Sequence, residues 1–563
     1  MLDASIKHRG PDGQGRWRAR FRKDQLVVDV AFVHRRLSII DLPNGAQPMV
    51  QGGETLLFEA GPDVQAPSGP NDYVTKATHH CPACRAKGEG LTSVLFNGCL
   101  YNHRQLRVEL EDAGHVFESD HADTEVLLHG WREWGDAFLS KLHDEPVKSP
   151  ASLTDRLEGM YACAIWSPES LRDLFSSRPF MAVDPAGEKP LYTADVDVGL
   201  SIFCSTAAGL EQLLARIHKA PRNHSQRRLR HWVRFGHGEE LLHPVRPLDR
   251  PSRGRNETAA DLWFAGYPKD DEIVRDDPAQ VVEQTLRRAV HDRLESDRPL
   301  GCFLSGGVDS SLVAAFARAH SPDLLTFTVR MPDPRYDESE HAERAAAHLG
   351  TKHQTLEVEP NPAEDLCRLI EELGLPFGDS SLLPAFWVSR AARALVPVAL
   401  GGDGGDELFA GYERYNAANL LSRHRGLLRA LPASLMPDAH PKSIFSKAGR
   451  LARAARGLHM FDLGVIFSSH DLDQLCGPRP MRPWTWEISA RQLRRIDLTN
   501  YLPDDLLRKA DTASMAVGLE LRAPFLDRRL IHLACRCLTI DQIMPGGERK
   551  GLLKQVARKH LPT

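Results

Sequence analysis

The sequence contains no long apolar run and no recognisable secretion signal. Its apolar stretches are short, and the run at residues 26–33 is already interrupted by Asp29. None of them approaches the about 20 apolar residues that a membrane-spanning helix requires. The first twenty residues carry Lys and Arg throughout and lack the apolar core of a signal peptide. We therefore expect neither a membrane span nor a signal peptide, and no membrane among the partners.

The chain also lacks a strong charge of either sign and a cysteine framework. Lys and Arg number 71 and Asp and Glu number 75, a formal net charge of −4 without the basic surface of dedicated nucleic-acid-binding proteins. The ten cysteines are irregularly spaced, unlike those of a disulfide-rich secreted domain. Apolar residues make up 42% and charged residues 26%, which excludes a wholly disordered chain. We expect a cytoplasmic globular protein with no nucleic-acid partner.

The 563 residues allow several average domains or two large ones, and the residue patterns divide them into three zones. Residues 1–210 contain short alternating or β-branched runs separated by turns, which predict a sheet-rich α+β domain. Residues 211–277 are basic and rich in Pro, Gly and His, and they are predicted to form a linker. Residues 278–563 alternate apolar runs with helical periodicity, which predicts a parallel sheet covered by helices and a helical C-terminal part.

Two segments with little periodicity, residues 52–90 and 144–154, interrupt this organisation. They are either surface insertions or wrongly translated sequence, and the sequence leaves both interpretations open. The first contains His79-His80-Cys81-Pro82-Ala83-Cys84, which has the residue types and spacing of metal ligands. Because no second pair of cysteines accompanies this one, the signal is weak and does not by itself predict a zinc site.

The most specific chemical signal is the loop Ser305-Gly306-Gly307-Val308-Asp309-Ser310-Ser311, between a predicted strand at 299–304 and a predicted helix. Two glycines let the backbone approach an anion closely, and the N–H groups at a helix N-terminus favour a phosphate. Asp309 would repel a phosphate and is therefore predicted to bind Mg²⁺. No lysine stands where a Walker A loop has one, so the sequence predicts another kind of phosphate loop.

A second glycine-rich loop, residues 401–409, follows the predicted strand at 396–400. Its four glycines keep side chains away from the carboxyl end of a strand, where open α/β sheets bind ligands. Asp403 and Asp406 are three residues apart and can face one cation, and Asp406 is the second predicted Mg²⁺ ligand. The two loops together predict one nucleotide site.

These loops resemble the synthetase domain of the glutamine-dependent asparagine synthetases, which has the PP-loop ATP pyrophosphatase fold. Further segments resemble that family in the same order, namely Tyr336-Asp337-Glu338-Ser339, Pro376 with Asp379-Ser380-Ser381, Gly411-Tyr412, Lys509-Ala510-Asp511, residues 518–527 and Lys550. The resemblance covers nearly all of residues 1–210 and 278–563. It implies a domain that binds ATP and Mg²⁺ and activates aspartate.

The first zone resembles the N-terminal-nucleophile glutaminase of the same family, an αββα sandwich. The segments that carry this resemblance are residues 8–13, 34–39, 96–98, 123–125 and 184–192. The resemblance implies that Arg36 and Asp123 bind the α-carboxylate and α-amine of glutamine. It also implies that Asn97 and the Gly98 amide form the oxyanion hole that acyl transfer requires.

The implied activity is the ATP-dependent conversion of aspartate into asparagine through an aspartyl-adenylate, with ammonia taken from glutamine or supplied free. Three residues are implied to be catalytic: Lys550 in adenylation, Glu520 as a charge partner and Asp403 in deprotonating ammonia. The residues implied to bind ATP and pyrophosphate are Leu304, Ser305, Gly306, Gly307, Asp309, Ser310, Val329 and Gly402. Amidation of another carboxylate and a non-catalytic nucleotide-binding role remain alternatives, and a homodimer is a candidate assembly.

The chain departs from the family pattern in its first zone. The family's glutaminase uses an N-terminal Cys, whose thiolate attacks the amide while the adjacent α-amine serves as the base. Here residues 1–4 are Met, Leu, Asp and Ala, and the first cysteine is Cys81. We expect that this polypeptide as written does not hydrolyse glutamine, either because its first strand is missing or because the activity is lost. Cys99 also stands where the family has a glutamine-binding Glu.

Overall fold

The structure, a computed structural model, describes residues 6–23, 26–51, 72–74, 81–86, 92–135, 156–167, 179–197, 200–218, 232–233, 236, 246–247, 273–331, 333–334, 337–358, 360–374, 377–431, 444–456, 474–475, 477 and 489–562. Most of the linker predicted at 211–277 lies outside these residues, as do residues 144–154, Tyr336 and Pro376. Among the described helices, none has both the length and the apolar character needed to cross a bilayer.

The described residues of the first half form ten strands and a few helices. The helices are a 3₁₀ turn at Lys7–Arg9 and α-helices at Pro82–Ala86, His103–Asp112, Asp123–Trp134 and Ala207–His218. The strands are β1 (Gly13–Lys23), β2 (Leu26–Arg36), β3 (Met49–Gln51), β4 (Asp72–Val74), β5 (Thr92–Leu100), β6 (Gly159–Trp166), β7 (Phe180–Val183), β8 (Tyr192–Asp197), β9 (Leu200–Cys204) and β10 (Arg246–Pro247).

The strands form sheets that stack between two layers of helices. The antiparallel sheet β3-β5-β6-β7 faces the sheets β2-β1-β4 and β10-β8-β9, and Trp17, Phe32 and Trp166 pack between them. Its outer face packs against the helices His103–Asp112 and Asp123–Trp134. The helix Ala207–His218 covers β8 and β9 on the opposite side. This arrangement confirms the predicted α+β sandwich of αββα type.

Part of the predicted linker is built into this half. The strand β10 pairs with β8 in antiparallel register, with Arg246 opposite Thr193 and Pro247 opposite Tyr192. A proline at a sheet edge is tolerated because an edge strand need not donate a complete ladder of hydrogen bonds. The helix Ala207–His218 also continues beyond residue 210, because Leu210 and Leu214 are both needed to cover the sheet.

In the second half, the described residues form five strands and many helices. The strands are β11 (Leu300–Phe303), β12 (Leu325–Arg330), β13 (Lys352–Glu357), β14 (Val398–Leu400) and β15 (Glu520–Arg522). The α-helices are Pro278–Asp292, Val308–His320, Ser339–Leu349, Pro362–Leu373, Leu382–Arg393, Gly405–Leu408, Glu413–Ala430, Ile444–Ala455, Ala490–Ile496, Arg508–Met515, Arg528–His532, Ile540–Ile543 and Gly551–Ala557. Asp497–Leu507 and Leu533–Cys537 are π-helical, and Pro524–Leu526 and Pro545–Gly547 are 3₁₀ turns.

The order of the five strands places the two glycine loops next to each other. The sheet runs β13-β12-β11-β14-β15, and every neighbouring pair is parallel. The chain leaves the central strand β11 toward β12 and β13, and later returns to the other side of β11 with β14 and β15. Ligands of such sheets bind at the carboxyl edge where the strand order reverses. That position lies between the loops at 304–307 and 401–404, and the predicted parallel-sheet domain is confirmed.

Buried ion pairs join the two halves. The Arg9 guanidinium contacts both carboxylate oxygens of Asp511, at 2.7 and 3.0 Å, and Lys189 lies 3.6 Å from the same carboxylate. All three side chains are at least nine-tenths buried. Further pairs across the boundary are Arg104–Glu295, His121–Asp297 and Arg529–Glu158. Removal of a carboxylate that two buried cations share would leave both charges uncompensated and strongly destabilise the fold.

We predict that Asp511→Asn lowers the free energy of unfolding by about 3–5 kcal/mol, because it leaves Arg9 and Lys189 buried without a counter-charge. Burial opposes ionisation of Asp511, but Arg9 and Lys189 outweigh it and hold its pKa below the ordinary value. The carboxylate therefore stabilises the fold above about pH 4, and this contribution is lost as pH falls through the depressed pKa.

Urea unfolding of both proteins from neutral to acid pH measures this difference, which should shrink in acid. Asp323→Asn is the matched control, since it removes an exposed carboxylate paired with Lys352 at 2.9 Å. A surface pair of this kind contributes little. Equal stability of the Asp511→Asn variant and the parent at pH 7 would contradict the account.

Candidate active site

The first glycine loop is held in a shape that only glycine adopts without strain. Gly306 has a φ of +79°, and a Cβ there would lie 2.6 Å from the Cβ of His341. The helix Val308–His320 begins directly after this turn, three residues earlier than the sequence pattern indicated, with Gly307 as its N-cap. The turn therefore sets the backbone of the loop against the positive end of a 13-residue helix.

Serine hydroxyls close the loop from within. The Ser305 backbone N–H donates to the Ser310 Oγ at 3.1 Å, and the two hydroxyl oxygens are 2.9 Å apart. The Gly307 N–H donates to the Ser305 Oγ at 3.2 Å. These bonds fix the curvature of the loop, so that its N–H groups and hydroxyls form a preorganised anion cradle.

The second glycine loop lies in contact with the first. A Cβ on Gly402 would stand 3.1 Å from the Cβ of Asp309 and 3.2 Å from the Ser310 nitrogen. A Cβ on Gly405 would stand 2.5 Å from the Asp309 Oδ2. Glycine at these two positions therefore lets the chain pass directly beside the Asp309 carboxylate. The structure brings the two predicted loops into one site.

Lys550 joins the two loops. Its Nζ lies 2.6 Å from the Asp309 Oδ2 and 2.7 Å from the Asp406 Oδ1. Gly411 makes room for this contact, since a Cβ there would overlap both the Asp406 carboxylate and the Lys550 side chain. The Lys550 backbone has a φ of +52°, in the left-handed region that non-glycine residues rarely adopt. Strained backbone of this kind is concentrated at functional sites.

The electrostatics of the site follow from burial. Burial raises the pKa of Asp309 to about 6, although Lys550 opposes the shift. Burial lowers the pKa of Lys550, but Asp309 and Asp406 outweigh it and raise the pKa above its ordinary value. Lys550 therefore stays protonated at neutral pH. Burial also raises the pKa of Asp403, against an opposing effect of Lys509.

Lys509 is a further charged residue of this region that the sequence patterns did not single out for the site. Its Nζ donates to the Asp379 Oδ2 at 2.6 Å and to the Ser381 Oγ at 2.7 Å. Lys509 also influences the pKa of Asp403, which places its charge near the second glycine loop. In the sequence, Lys509 was recognisable only as part of the motif Lys509-Ala510-Asp511, which did not indicate its position near the second loop.

Two predicted ATP-binding residues lie on the strands beside the first loop. Leu304 is buried directly after the last residue of β11, and its N–H donates to the Phe327 carbonyl oxygen of β12 at 2.9 Å. Val329 is buried near the end of β12, in register with Leu356 of β13. Both residues therefore lie toward the carboxyl edge of the sheet, on the side where the first loop leaves it.

The four predicted glutamine-binding residues line one cavity of about 290 Å³, at the boundary between the two halves. Asn97 and Gly98 lie on β5. Gly98 has a φ of +151°, and a Cβ there would overlap the Met160 carbonyl oxygen, so both features require glycine. The buried Nδ2 of Asn97 has no hydrogen-bond partner among the described residues.

The two charged residues among these four predicted residues are held by backbone groups. Asp123 accepts from the Leu100 N–H at 3.1 Å. Arg36 donates to the carbonyl oxygens of Ile40, Asp41 and Leu42, which holds its guanidinium in the cavity wall.

Glu520 belongs to this cavity, whereas Lys550 pairs with the two glycine loops. Glu520 begins β15 in register with Val398, and its Oε1 accepts from the Arg522 Nε at 2.8 Å. Both residues line the cavity beside Cys99, whose thiol pKa burial raises well above its ordinary value. The structure thus places Glu520, predicted as a catalytic charge partner, in the wall of the cavity that the predicted glutamine-binding residues line. A parallel strand carries its first residue to the edge opposite the loops.

We predict that Gly405→Ala weakens the binding of ATP in the presence of Mg²⁺. The added methyl group displaces the Asp309 carboxylate that it would touch at 2.5 Å. Losing one interaction with a charged group costs about 1.5–3 kcal/mol, which corresponds to an affinity about tenfold to a hundredfold lower.

Titration calorimetry measures this affinity. Gly426→Ala is the matched control, because a Cβ at that position of the helix Glu413–Ala430 meets nothing within 4 Å. The account fails if both variants bind ATP as tightly as the parent does.

Comparison with known proteins identifies similar proteins for both halves of the chain. The family model described as asparagine synthase matches residues 281–563, and two models described as glutamine amidotransferase domains match residues 73–212 and 1–61. The chain is 31% identical over 579 residues to a putative glutamine-hydrolyzing asparagine synthetase of Mycobacterium tuberculosis H37Rv, covering 94% of this chain and 77% of that protein.

Two further relatives match along the whole chain. Glutamine-hydrolyzing asparagine synthetase 1 of Bacillus subtilis 168 is 27% identical, covering 100% of this chain and 81% of that protein. Asparagine synthetase B of Escherichia coli K12 is 24% identical, with 100% and 76% covered. The matched family model spans the parallel-sheet half in which Asp309, Asp406 and Lys550 meet. This chain therefore belongs to the family of glutamine-hydrolysing asparagine synthetases.

Proposed function

We propose that this protein makes asparagine from aspartate, with ATP as the activating substrate and ammonia, supplied free or derived from glutamine, as the nitrogen donor. One observation carries the chemical part of the proposal. The Lys550 ammonium lies between the Asp309 and Asp406 carboxylates, where two glycine loops meet at the reversal of the strand order. A phosphate-binding loop, a lysine ammonium and two carboxylates held together in this way suit the transfer of a nucleotide group.

Amide formation from a free carboxylate needs prior activation. A carboxylate repels nucleophiles, and its oxygen is a poor leaving group. Attack of the aspartate β-carboxylate on the α-phosphorus of ATP forms a new C–O–P bond and releases pyrophosphate. Ammonia then attacks the carbonyl carbon, the C–O bond breaks, and AMP leaves with the oxygen. A site for this chemistry must hold the pyrophosphate and exclude water.

The first loop is the proposed pyrophosphate cradle. The backbone at Gly306 and Gly307 approaches the phosphate oxygens, and the hydroxyls of Ser305 and Ser310 lie within the same turn. The N-terminus of the helix Val308–His320 adds a favourable electrostatic potential. Leu304, Val329 and Gly402 complete the proposed nucleotide-binding surface through close packing at the carboxyl edge of the sheet.

The carboxylates of the two loops fit a divalent cation. Asp309 Oδ1 is buried and has no hydrogen-bond partner among the described residues, so this oxygen has a free coordination position. We assign Mg²⁺ to Asp309 and Asp406, because carboxylate oxygens are the ligands that this cation prefers. When bound, Mg²⁺ neutralises charge on the phosphate oxygens.

Lys550 has two roles in this proposal. It compensates the two neighbouring carboxylates, which would otherwise repel each other and the triphosphate. Its raised pKa keeps the ammonium charged at neutral pH, so that it stabilises the negative charge that develops on the leaving pyrophosphate. The ion pairs with Asp309 and Asp406 hold the Nζ in place before ATP binds.

Asp403 is the proposed proton acceptor in the second step. Burial raises the pKa of this carboxyl, which makes its ionised form a better base than an exposed Asp. Its position on the second loop, near the charge of Lys509, lies on the side of the site where Asp379 and Ser381 are held. We propose that this side, including Ser380, binds the aspartate substrate.

The cavity at the boundary of the halves is the proposed glutamine side. The unpartnered Nδ2 of Asn97 and the Gly98 amide supply the oxyanion donors, and Asp123 and Arg36 supply the charges for the amino-acid group. Because Glu520 and Arg522 of the synthetase half line the same cavity, ammonia present in this cavity would lie beside that half. Glu520 is thus proposed as a charge partner on this path, paired with Arg522.

A cytoplasmic location fits the proposed reaction. ATP is consumed inside cells, and none of the nine cysteines in the described part of the chain forms a disulfide. Free thiols are maintained in reducing compartments. Aspartate, glutamine and ammonia are the proposed small-molecule partners.

We predict that Asp309→Asn, combined with Asp406→Asn, reduces aspartate-dependent pyrophosphate release by about a hundredfold or more. The reason is the loss of several kcal/mol of charge stabilisation supplied by the metal site. Ammonium as the nitrogen donor makes this assay independent of glutamine hydrolysis. Asp541→Asn, an exposed carboxylate on the helix Ile540–Ile543, serves as the control and should retain full activity. Undiminished pyrophosphate release by the double variant would refute the assignment.

The choice of aspartate is tested separately. With ATP, Mg²⁺ and ammonium, we expect aspartate to support pyrophosphate and AMP formation, whereas glutamate and succinate do not. Chromatography of the amide products identifies the acceptor. Faster turnover of another carboxylic acid would leave the nucleotide site intact and contradict the substrate assignment alone.

A further inference from the structure

Four buried side chains of the first half converge outside both proposed sites. Cys81 and Cys84 lie at the start of the short helix Pro82–Ala86, His115 follows the helix His103–Asp112, and His129 lies within the helix Asp123–Trp134. One ligand atom from each side chain lies within 4.8 Å of all the others. The four residues are between 0 and 6% exposed.

The distances in this cluster fit a tetrahedral metal ion. The His115 and His129 Nδ1 atoms are 3.2 Å apart, and the Cys84 Sγ lies 3.3 and 3.4 Å from them. The Cys81 Sγ lies 3.7 Å from the His115 Nδ1. A tetrahedron with Zn–N of about 2.0 Å and Zn–S of about 2.3 Å has edges of about 3.3–3.8 Å.

The Nε2 atom of each imidazole is hydrogen-bonded to a carboxylate. The His115 Nε2 lies 2.9 Å from the Glu133 Oε2, and the His129 Nε2 lies 3.4 Å from the Glu125 Oε1. Glu125 is itself fixed by the backbone N–H groups of Glu118 and Ser119, both at 2.8 Å. Metal-binding histidines characteristically donate their outer N–H to a carboxylate, which turns the other nitrogen's lone pair toward the metal.

When each imidazole carries its proton on Nε2, the unprotonated Nδ1 atoms of His115 and His129 face each other at 3.2 Å. Two lone pairs at that distance repel unless a positive charge lies between them. The sulfur atoms complete the set, and the Val116 backbone N–H donates to the Cys81 Sγ at 3.4 Å, which favours a thiolate. The cluster therefore has the charge and the orientation that a cation requires.

We propose that Cys81, Cys84, His115 and His129 bind one structural Zn²⁺. Two thiolates and two imidazoles in a tetrahedral arrangement are typical of zinc and unsuited to Mg²⁺ or Ca²⁺. Four protein ligands leave no open coordination position, so the site is structural and takes no part in catalysis.

The proposed zinc connects an irregular segment to the helix that bears Asp123. Cys81 and Cys84 belong to the interruption at 52–90, and His129 lies six residues beyond Asp123 on one helix. Asp123 lines the proposed glutamine cavity. The metal thus fixes the position of that helix through its middle, which gives the interruption a structural role.

Only half of this pattern was recognisable from the spacing of residues along the chain. The pair Cys81 and Cys84 had the spacing of zinc ligands, but the second pair does not lie close along the chain. His115 follows 31 residues after Cys84, and His129 follows 14 residues later, each from a different element. Only the packing of the helices His103–Asp112 and Asp123–Trp134 brings these two imidazoles together.

The full-length protein, purified without chelators, tests the proposal by elemental analysis. We expect one equivalent of zinc per chain, and loss of that zinc in Cys84→Ser and His129→Ala. Cys367→Ser and His348→Ala remove an exposed thiol and an exposed imidazole outside the cluster, and both should retain it. Retention of the full equivalent by Cys84→Ser would overturn the assignment.

Cobalt substitution of the unaltered chain avoids any failure of a variant to fold. Zinc is removed with a chelator, Co²⁺ is added, and the visible spectrum is recorded. We expect the intense d–d bands of tetrahedral Co²⁺ and charge-transfer bands from two thiolates. A purified chain that contains no zinc and, after addition of Zn²⁺ or Co²⁺, binds neither ion would overturn the proposal.

Discussion

The contact of the Lys550 ammonium with the Asp309 and Asp406 carboxylates is the interaction on which the synthetase half depends. Two carboxylates that lie close together in a partly buried site repel each other, and the pKa of Asp309 rises to about 6 as a result of burial and this repulsion. A cation between them makes the arrangement stable. In the proposed reaction, the two carboxylates bind the divalent metal, and the Lys550 ammonium attracts the triphosphate.

This constraint explains the glycines of the site. Asp309, Asp406 and Lys550 come from three separate segments, and each approach requires a residue without a Cβ. Gly405 admits the Asp309 carboxylate, and Gly411 admits the Asp406 carboxylate and the Lys550 stem. The reversal of strand order between β11 and β14 supplies the crevice in which these segments meet. Geometry and charge therefore specify one site together.

Much of this site was predictable from the sequence, because loops that follow parallel strands meet at one edge of the sheet. The order of motifs along the chain also predicted the sandwich and the parallel sheet. The sequence could not show that Glu520 starts its strand and lines the cavity at the boundary of the halves, since strand register is set by packing. It also could not show that His115 and His129 meet Cys81 and Cys84, because these contacts depend on how two helices pack.

Isotope transfer from the β-carboxylate of aspartate to AMP tests the central claim most directly. The protein is incubated with aspartate labelled with ¹⁸O in that carboxylate, together with ATP, Mg²⁺ and ammonium, and the products are analysed by mass spectrometry. The account predicts one labelled oxygen in AMP and none in pyrophosphate, because the carboxylate oxygen attacks the α-phosphorus and leaves with it. Unlabelled AMP, or the formation of ADP and labelled phosphate, would contradict it.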